Sequence, residues 1–219
     1  MSSQKPKVVI SERTIGRLSL YRRLLNDLQA QGERNIYSHE LAAMIGGTAA
    51  QIRRDLMAVG YSGSPTHGYD IRELVLSIGN FLDAPHMQGV ALVGVGNLGR
   101  AIMAFFSGRR PRLAIAAAFD NDPYKINRVI HGCRCYGIED LSRIVQEQGL
   151  EVGILCVPSQ AAQDVAERLV RAGIRGILNF APIPLRVPAN VYVEDIDMTM
   201  SLEKVAYFGR QHANKEGLK

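Results

Sequence analysis

Residues 91–100, ALVGVGNLGR, constrain this chain more than any other stretch. A short apolar run enters three glycines spaced G-x-G-x-x-G, and a helical pattern follows. In such an arrangement Gly94 permits a tight turn, Gly96 lets the backbone approach a pyrophosphate, and Gly99 lets the helix lie close to the strand. Asn97 and Leu98 open that helix, whose free N–H groups and positive dipole end suit phosphates. A carboxylate, Asp120, stands at the tip of the next apolar run, 21 residues after Gly99. There it accepts hydrogen bonds from ribose hydroxyls and repels a 2′-phosphate. Asn121 and Asp122 follow it with no arginine directly after, so NAD(H) is expected rather than NADP(H). The plainer alternative is a glycine turn that serves sheet packing alone.

The surrounding pattern is that of a parallel α/β sheet. Continuous apolar runs at 90–94, 113–119, 152–157 and 175–179 read as strands covered on both faces, with weaker ones near 133–136 and 191–194. Helical stretches at about 97–107, 139–148 and 159–172 separate them. Alternation of strand and helix over about 110 residues makes a Rossmann-like domain at 86–197. Residues 198–219 form a C-terminal helix and tail.

A dehydrogenase built on this sheet also needs a general acid or base. The five histidines (His39, His67, His86, His131 and His212) stand in no acid-paired context after a strand, and no lysine follows a strand tip in the C-terminal half. No catalytic residue is assigned. Cys133, Cys135 and Cys156 are an odd, low count that argues against a disulfide framework, and one C-x-C with no second pair is a weak metal motif. They are expected to be reduced thiols, with no metal site. No apolar stretch is long enough to span a bilayer and none resembles a signal peptide, so a cytoplasmic protein is expected.

Residues 1–85 differ in texture. Pro85 and Gly89 break the chain near 83–89, which sets the domain boundary. A helix at about 12–31 carries Ile15, Leu18, Leu24, Leu25 and Leu28 on one stripe, with Arg17, Arg22 and Arg23 off it. Ser38 reads as the N-cap of a short helix that Gly46-Gly47 end. Thr48 and Gln51 have capping-box spacing for a second helix with Ile52, Leu56 and Val59 inward. Gln51, Arg53 and Arg54 are left facing out. This is helix–turn–helix spacing, and arginine and glutamine are side chains that pair with base edges or hold phosphate. YSGSPTHGYDI (61–71) then reads as a short two-stranded wing. The formal charge of +5 is spread evenly, with ten Lys/Arg against eight Asp/Glu in residues 1–85. Charge therefore permits nucleic-acid binding without requiring it. From spacing alone, a small helical subdomain with a solvated basic face remains open.

Taken in order, TAAQIRRDL (48–56), HGYDI (67–71), VGVGNLGRA (93–101), FDND (119–122), the segment from CVPSQ through GILNFAP (156–182) and DIDM (195–198) resemble the Rex family of redox-sensing transcriptional repressors. The likeness covers nearly the whole chain. It implies a winged helix–turn–helix domain, a Rossmann-like domain and a C-terminal helix swapped onto a partner subunit. It implies a homodimer that binds double-stranded operator DNA and is released by NADH. It places Thr48, Gln51, Arg53, Arg54, His67 and Tyr69 at the DNA. Gly94, Gly96, Asn97, Leu98, Gly99, Asp120, Pro158, Asn179, Pro182 and Asp197 fall at the cofactor, and Arg23, Phe105 and Asp197 at the switch between domains. The chain departs from the family twice. Phe105 stands where the family often has a tyrosine, and Pro65-Thr66 replace an arginine and glycine in the wing. Two other functions fit the sheet: a small NAD-dependent oxidoreductase, or a CoA- or nucleotide-binding module.

Overall fold

A computed structural model describes residues 10–64, 66–108 and 112–216. Pro65 lies outside the described residues. The chain divides into two compact units, Met1–Pro85 and His86–Lys219.

The first unit packs four helices around one core. Helix α1 (Glu12–Ala30) starts at Ser11, whose Oγ accepts the Thr14 N–H. It buries Leu18, Tyr21 and Leu25 against Leu41 of α2 (Ser38–Ile45), Ile52 and Leu56 of α3 (Ala49–Ala58), and Leu74 and Ile78 of α4 (Ile71–Leu82). Each such side chain contributes about 1.5–3 kcal/mol by leaving water. The buried stripe of α1 differs from the expected one: Tyr21 belongs to it, whereas Ile15 is exposed.

The turn between α2 and α3 is built from local chemistry. Gly46 ends α2 in the left-handed region at φ 64°, and Thr48 Oγ1 accepts the Gln51 N–H at 3.2 Å to start α3. Ser38 is not the cap of α2. The cap is Tyr37, whose N–H donates to Glu40 Oε2 at 2.7 Å, and Ser38 Oγ instead accepts from Arg53.

The wing also pairs differently from the expected hairpin. Strand β2 (Tyr69–Asp70) runs antiparallel to β1 (Asn35–Ile36), and only a Ser64–Gly68 bridge closes the loop itself. Gly68 sits at φ 71°, and a Cβ there would collide with the Ile36 carbonyl. Gly68→Ala is therefore expected to destabilise this unit by about 1–3 kcal/mol, read by urea unfolding.

The second unit is a seven-stranded sheet in the order β5-β6-β4-β3-β7-β8-β9. Its strands are β3 (Gln88–Val93), β4 (Leu113–Asp120), β5 (Val129–Ile130), β6 (Cys133–Gly137), β7 (Val152–Leu155), β8 (Gly176–Asn179) and β9 (Tyr192–Asp195). All pairings are parallel except β5 with β6. Helix α5 (Asn97–Phe106) covers one face, with Ile102 and Met103 in its core. Helices α6 (Leu141–Glu147) and α7 (Ser159–Ala172) cover the other, where Leu141, Ile144, Val165 and Leu169 pack on Val93, Phe119 and Leu155. The order reverses between β3 and β7, which opens a crevice at their carboxyl ends. Cys133 and Cys135 are buried free thiols beneath α5.

Helix α8 (Met198–Glu216) follows. Met198, Leu202, Val205 and Phe208 recur at helical spacing, and each is more than half exposed. The helix therefore does not pack on its own sheet. No helix among the described residues is long and apolar enough to cross a membrane.

Candidate functional site

A pocket of about 580 Å³ opens at the reversal point of the sheet. That size is ordinary for small-molecule sites. The glycines shape it by three different means. Gly94 takes φ 97°, and a Cβ there would meet the Cys156 carbonyl. Gly99 is buried under the turn, where a Cβ would meet the Gly94 carbonyl and bring α5 off β3. A Cβ added at Gly96 would meet no protein atom within 4 Å, so this glycine leaves open space on the pocket wall that it lines. No side chain caps the first turn of α5, which leaves its N–H groups for an anion. These features fit a dinucleotide pyrophosphate.

Asp120 ends β4 and lines the same pocket. Its Oδ2 accepts the Val95 N–H at 2.8 Å and Lys125 Nζ at 3.2 Å, and its Oδ1 accepts the Asp122 N–H at 2.9 Å. Burial pushes the Asp120 carboxyl up. The Asp122 and Val95 N–H groups and the Lys125 ammonium more than offset this and hold it below the usual aspartate value. Lys125 was not visible as a site residue in the sequence, because it lies five positions past the strand tip in an irregular turn.

Asn97, Leu98 and Pro158 join Gly94, Gly96 and Asp120 around the pocket. Asn179, Pro182 and Asp197 do not line it. Asn179 is wholly buried, and its amide is satisfied inside the protein. Nδ2 donates to the Ile183 carbonyl at 2.9 Å and to Asp195 Oδ1 at 2.7 Å, and Oδ1 accepts the Ala181 N–H at 2.9 Å. Its side chain pins the NFAPI turn and β9 and so shapes this end of the sheet. Pro182 is exposed in that turn. Asp197 caps α8 by accepting the Met200 N–H at 2.7 Å.

Cys156 is the one thiol among the described residues that line the pocket. Burial pushes the Cys156 thiol up to about 12, so it stays protonated. Among the described residues, no group of His, Cys, Asp and Glu side chains gathers as a metal site.

In the first unit, Thr48, Arg53, Arg54 and His67 are exposed. Arg53 NH1 donates to Ser38 Oγ at 3.0 Å, which steadies its stem at the face of α3. His67 Nδ1 lies 2.8 Å from Thr66 Oγ1. Two other residues expected at the DNA are engaged within the unit. Tyr69 is buried, and its ring lies tilted against Tyr61 in the core. Gln51 is half-buried, with its Nε2 donating to Asp55 Oδ1 at 2.9 Å. Asp55 is the polar centre of this unit. It also accepts Arg17 Nε at 2.6 Å, Arg17 NH2 at 2.8 Å and the Tyr21 hydroxyl at 2.8 Å. Arg23 is exposed on α1, and Phe105 is exposed on α5 with its ring edge-on to Phe106.

A helix–turn–helix with a wing, in one chain with a dinucleotide-type sheet, defines a ligand-responsive transcription regulator. Comparison with known proteins narrows this class. The CoA binding domain family matches residues 86–183, and the family of putative DNA-binding protein N-termini matches residues 9–56. The redox-sensing transcriptional repressor Rex of Carboxydothermus hydrogenoformans is 40% identical over 198 residues, covering 90% of this chain and 95% of that protein. Rex of Leuconostoc citreum is 38% identical, covering 94% of each. The crystal structure of RSP in complex with beta-NAD+ and operator DNA superposes with a TM-score of 0.87 at 33% identity, over 97% of this chain and 98% of that one. RSP in complex with beta-NADH gives 0.84 at the same identity, over 97% and 100%. The chain belongs to the Rex family of redox-sensing transcriptional repressors.

Proposed function

We propose that a homodimer of this protein binds operator DNA through α3 and releases it when NADH fills the pocket at Gly94–Gly99. The observation that carries this reading is the coexistence of an uncapped, glycine-walled helix terminus with a cation-bearing recognition helix in one short chain. Residues 1–85 serve as the DNA-binding domain, 86–197 as the cofactor domain, and 198–219 as the dimer-forming helix. The exposed apolar face of α8 supports the last assignment, since a second copy is the occupant that would cover it. Cytoplasmic residence follows, because both ligands are found there.

Regulation rather than catalysis suits the pocket chemistry. Asp120 and Lys125 hold each other as a charged pair, and no histidine lines the pocket among the described residues. A bound nicotinamide supplies a charge that is present when oxidised and absent when reduced. Asp197, whose carboxylate also starts α8, is the proposed sensor of that change, by resemblance to the family rather than by contact with the pocket. Arg23 is the residue of the DNA-binding unit that the family resemblance assigns to the same switch. Only a difference in NADH affinity between the two domain arrangements can move the DNA equilibrium. Phe105 brings no hydroxyl to this switch.

Arg53→Ala is expected to weaken operator binding about 10- to 100-fold and leave NADH affinity unchanged. Fluorescence anisotropy with labelled operator measures the first, and NADH titration the second. Unchanged operator affinity would remove α3 from the DNA interface. The match to a CoA binding domain favours one further reading, a CoA sensor. Release of operator by CoA but not by NADH would establish it instead.

A further inference from the structure

The carboxylate expected to choose between cofactors is largely engaged inside the protein. Asp120 Oδ2 already accepts two hydrogen bonds and Oδ1 one, from Val95, Lys125 and Asp122. Two carboxylates flank Lys125 in turn. Its Nζ lies 3.2 Å from Asp120 Oδ2 and 3.4 Å from Asp122 Oδ2. An ammonium has three donors, so one remains for the pocket that Lys125 lines. The Asp122 side chain is held as well, because its Oδ1 accepts the Tyr124 N–H at 3.0 Å.

We propose that Asp122 is the specificity-determining residue of this pocket: it holds Lys125 against Asp120 and so withholds the cation from a 2′-phosphate. The proposal rests on the NADH reading given above. The local charges are two aspartates and one lysine, a net of minus one. A phosphate monoester carries about −1.5 to −2 at pH 7 and is repelled. The ribose hydroxyls of NADH carry no charge and accept the third Lys125 donor. Without the Asp122 charge, Lys125 has a single anionic partner and can swing to a phosphate. Asp122 is only half-buried and does not itself line the pocket, so Asp122→Asn keeps the shape and the turn.

The test is a titration of the full-length protein with NADH and with NADPH. It compares wild type, Asp122→Asn, Lys125→Met and the double variant, with thermal melts as a folding control. Wild type is expected to prefer NADH. Asp122→Asn is expected to raise the NADPH-to-NADH affinity ratio about tenfold, the size of one partly screened charge several ångströms away. In the Lys125→Met background most of that gain is expected to vanish, because the effect runs through the lysine. An unchanged ratio in Asp122→Asn would overturn the proposal. So would an equal gain without Lys125, which would mean that Asp122 acts by its own charge alone. Wild type that binds neither dinucleotide would overturn the cofactor reading itself, and the proposal with it.

Discussion

Asp55→Ala is expected to lower the stability of the N-terminal unit by about 3 kcal/mol. Asp55 is only 3% exposed and receives Arg17, the Tyr21 hydroxyl and the Gln51 amide. Its removal strands four donor groups on three side chains, one of them charged, between α1 and α3. Urea unfolding measures the loss. Operator affinity should fall with it, because α3 is then no longer fixed to α1. Arg17→Met combined with Asp55→Leu is expected to recover part of the stability, as apolar replacement of an entire buried pair often does. A stable Asp55→Ala protein would show that the network contributes nothing.

The same carboxylate sets an acid limit. Burial pushes its pKa up, but hydrogen bonds from Arg17, Tyr21 and Gln51 outweigh burial and leave it below the usual aspartate value. A depressed folded-state pKa gives stability that is fully present above the unfolded value, near pH 4. It is lost as pH falls through the lower folded value. The acid unfolding of Asp55→Asn should lack this component.

Gly94→Ala is expected to reduce NADH affinity at least about 100-fold, as an operator-bound protein that NADH no longer releases. The added Cβ faces two obstacles: a backbone at φ 97° and the Cys156 carbonyl, which is part of the neighbouring strand end and cannot swing aside. The turn must open, and with it the N-terminus of α5 moves away from the pyrophosphate position. Isothermal titration with NADH reads this directly. Operator affinity without NADH should stay close to wild type, because the substitution lies outside the winged unit. Retained NADH affinity would detach the glycine turn from the cofactor.

The legible and illegible parts of this protein divide by sequence distance. The glycine turn, Asp120 at the end of β4, and α7 over Ser159–Ala172 are local patterns and appear where the periodicity places them. The pairing of β1 with β2 is not local, since it joins Asn35–Ile36 to residues more than thirty positions on. For the same reason Asp55 was not predicted as a core residue: its partners Arg17 and Tyr21 lie on another helix. Tyr69 and Asn179 show the opposite situation. Both sit in motifs that carry the family likeness, yet the first anchors the wing from inside and the second pins a turn. A motif marks a segment as important without saying which of its side chains meets the ligand. Lys125 reaches Asp120 only because the turn after β4 folds back on the strand tip.

In the proposed switch the NADH pocket and the recognition helix share one equilibrium. Such coupling is reciprocal, so operator DNA must weaken NADH binding by the factor by which NADH weakens operator binding. The direct measurement is NADH affinity with and without saturating operator, with NAD+ titrated in parallel. The predicted result is a lower NADH affinity on DNA, matched by the loss of operator affinity under NADH, with NAD+ leaving the complex intact. Equal NADH affinity in the two conditions would contradict the account.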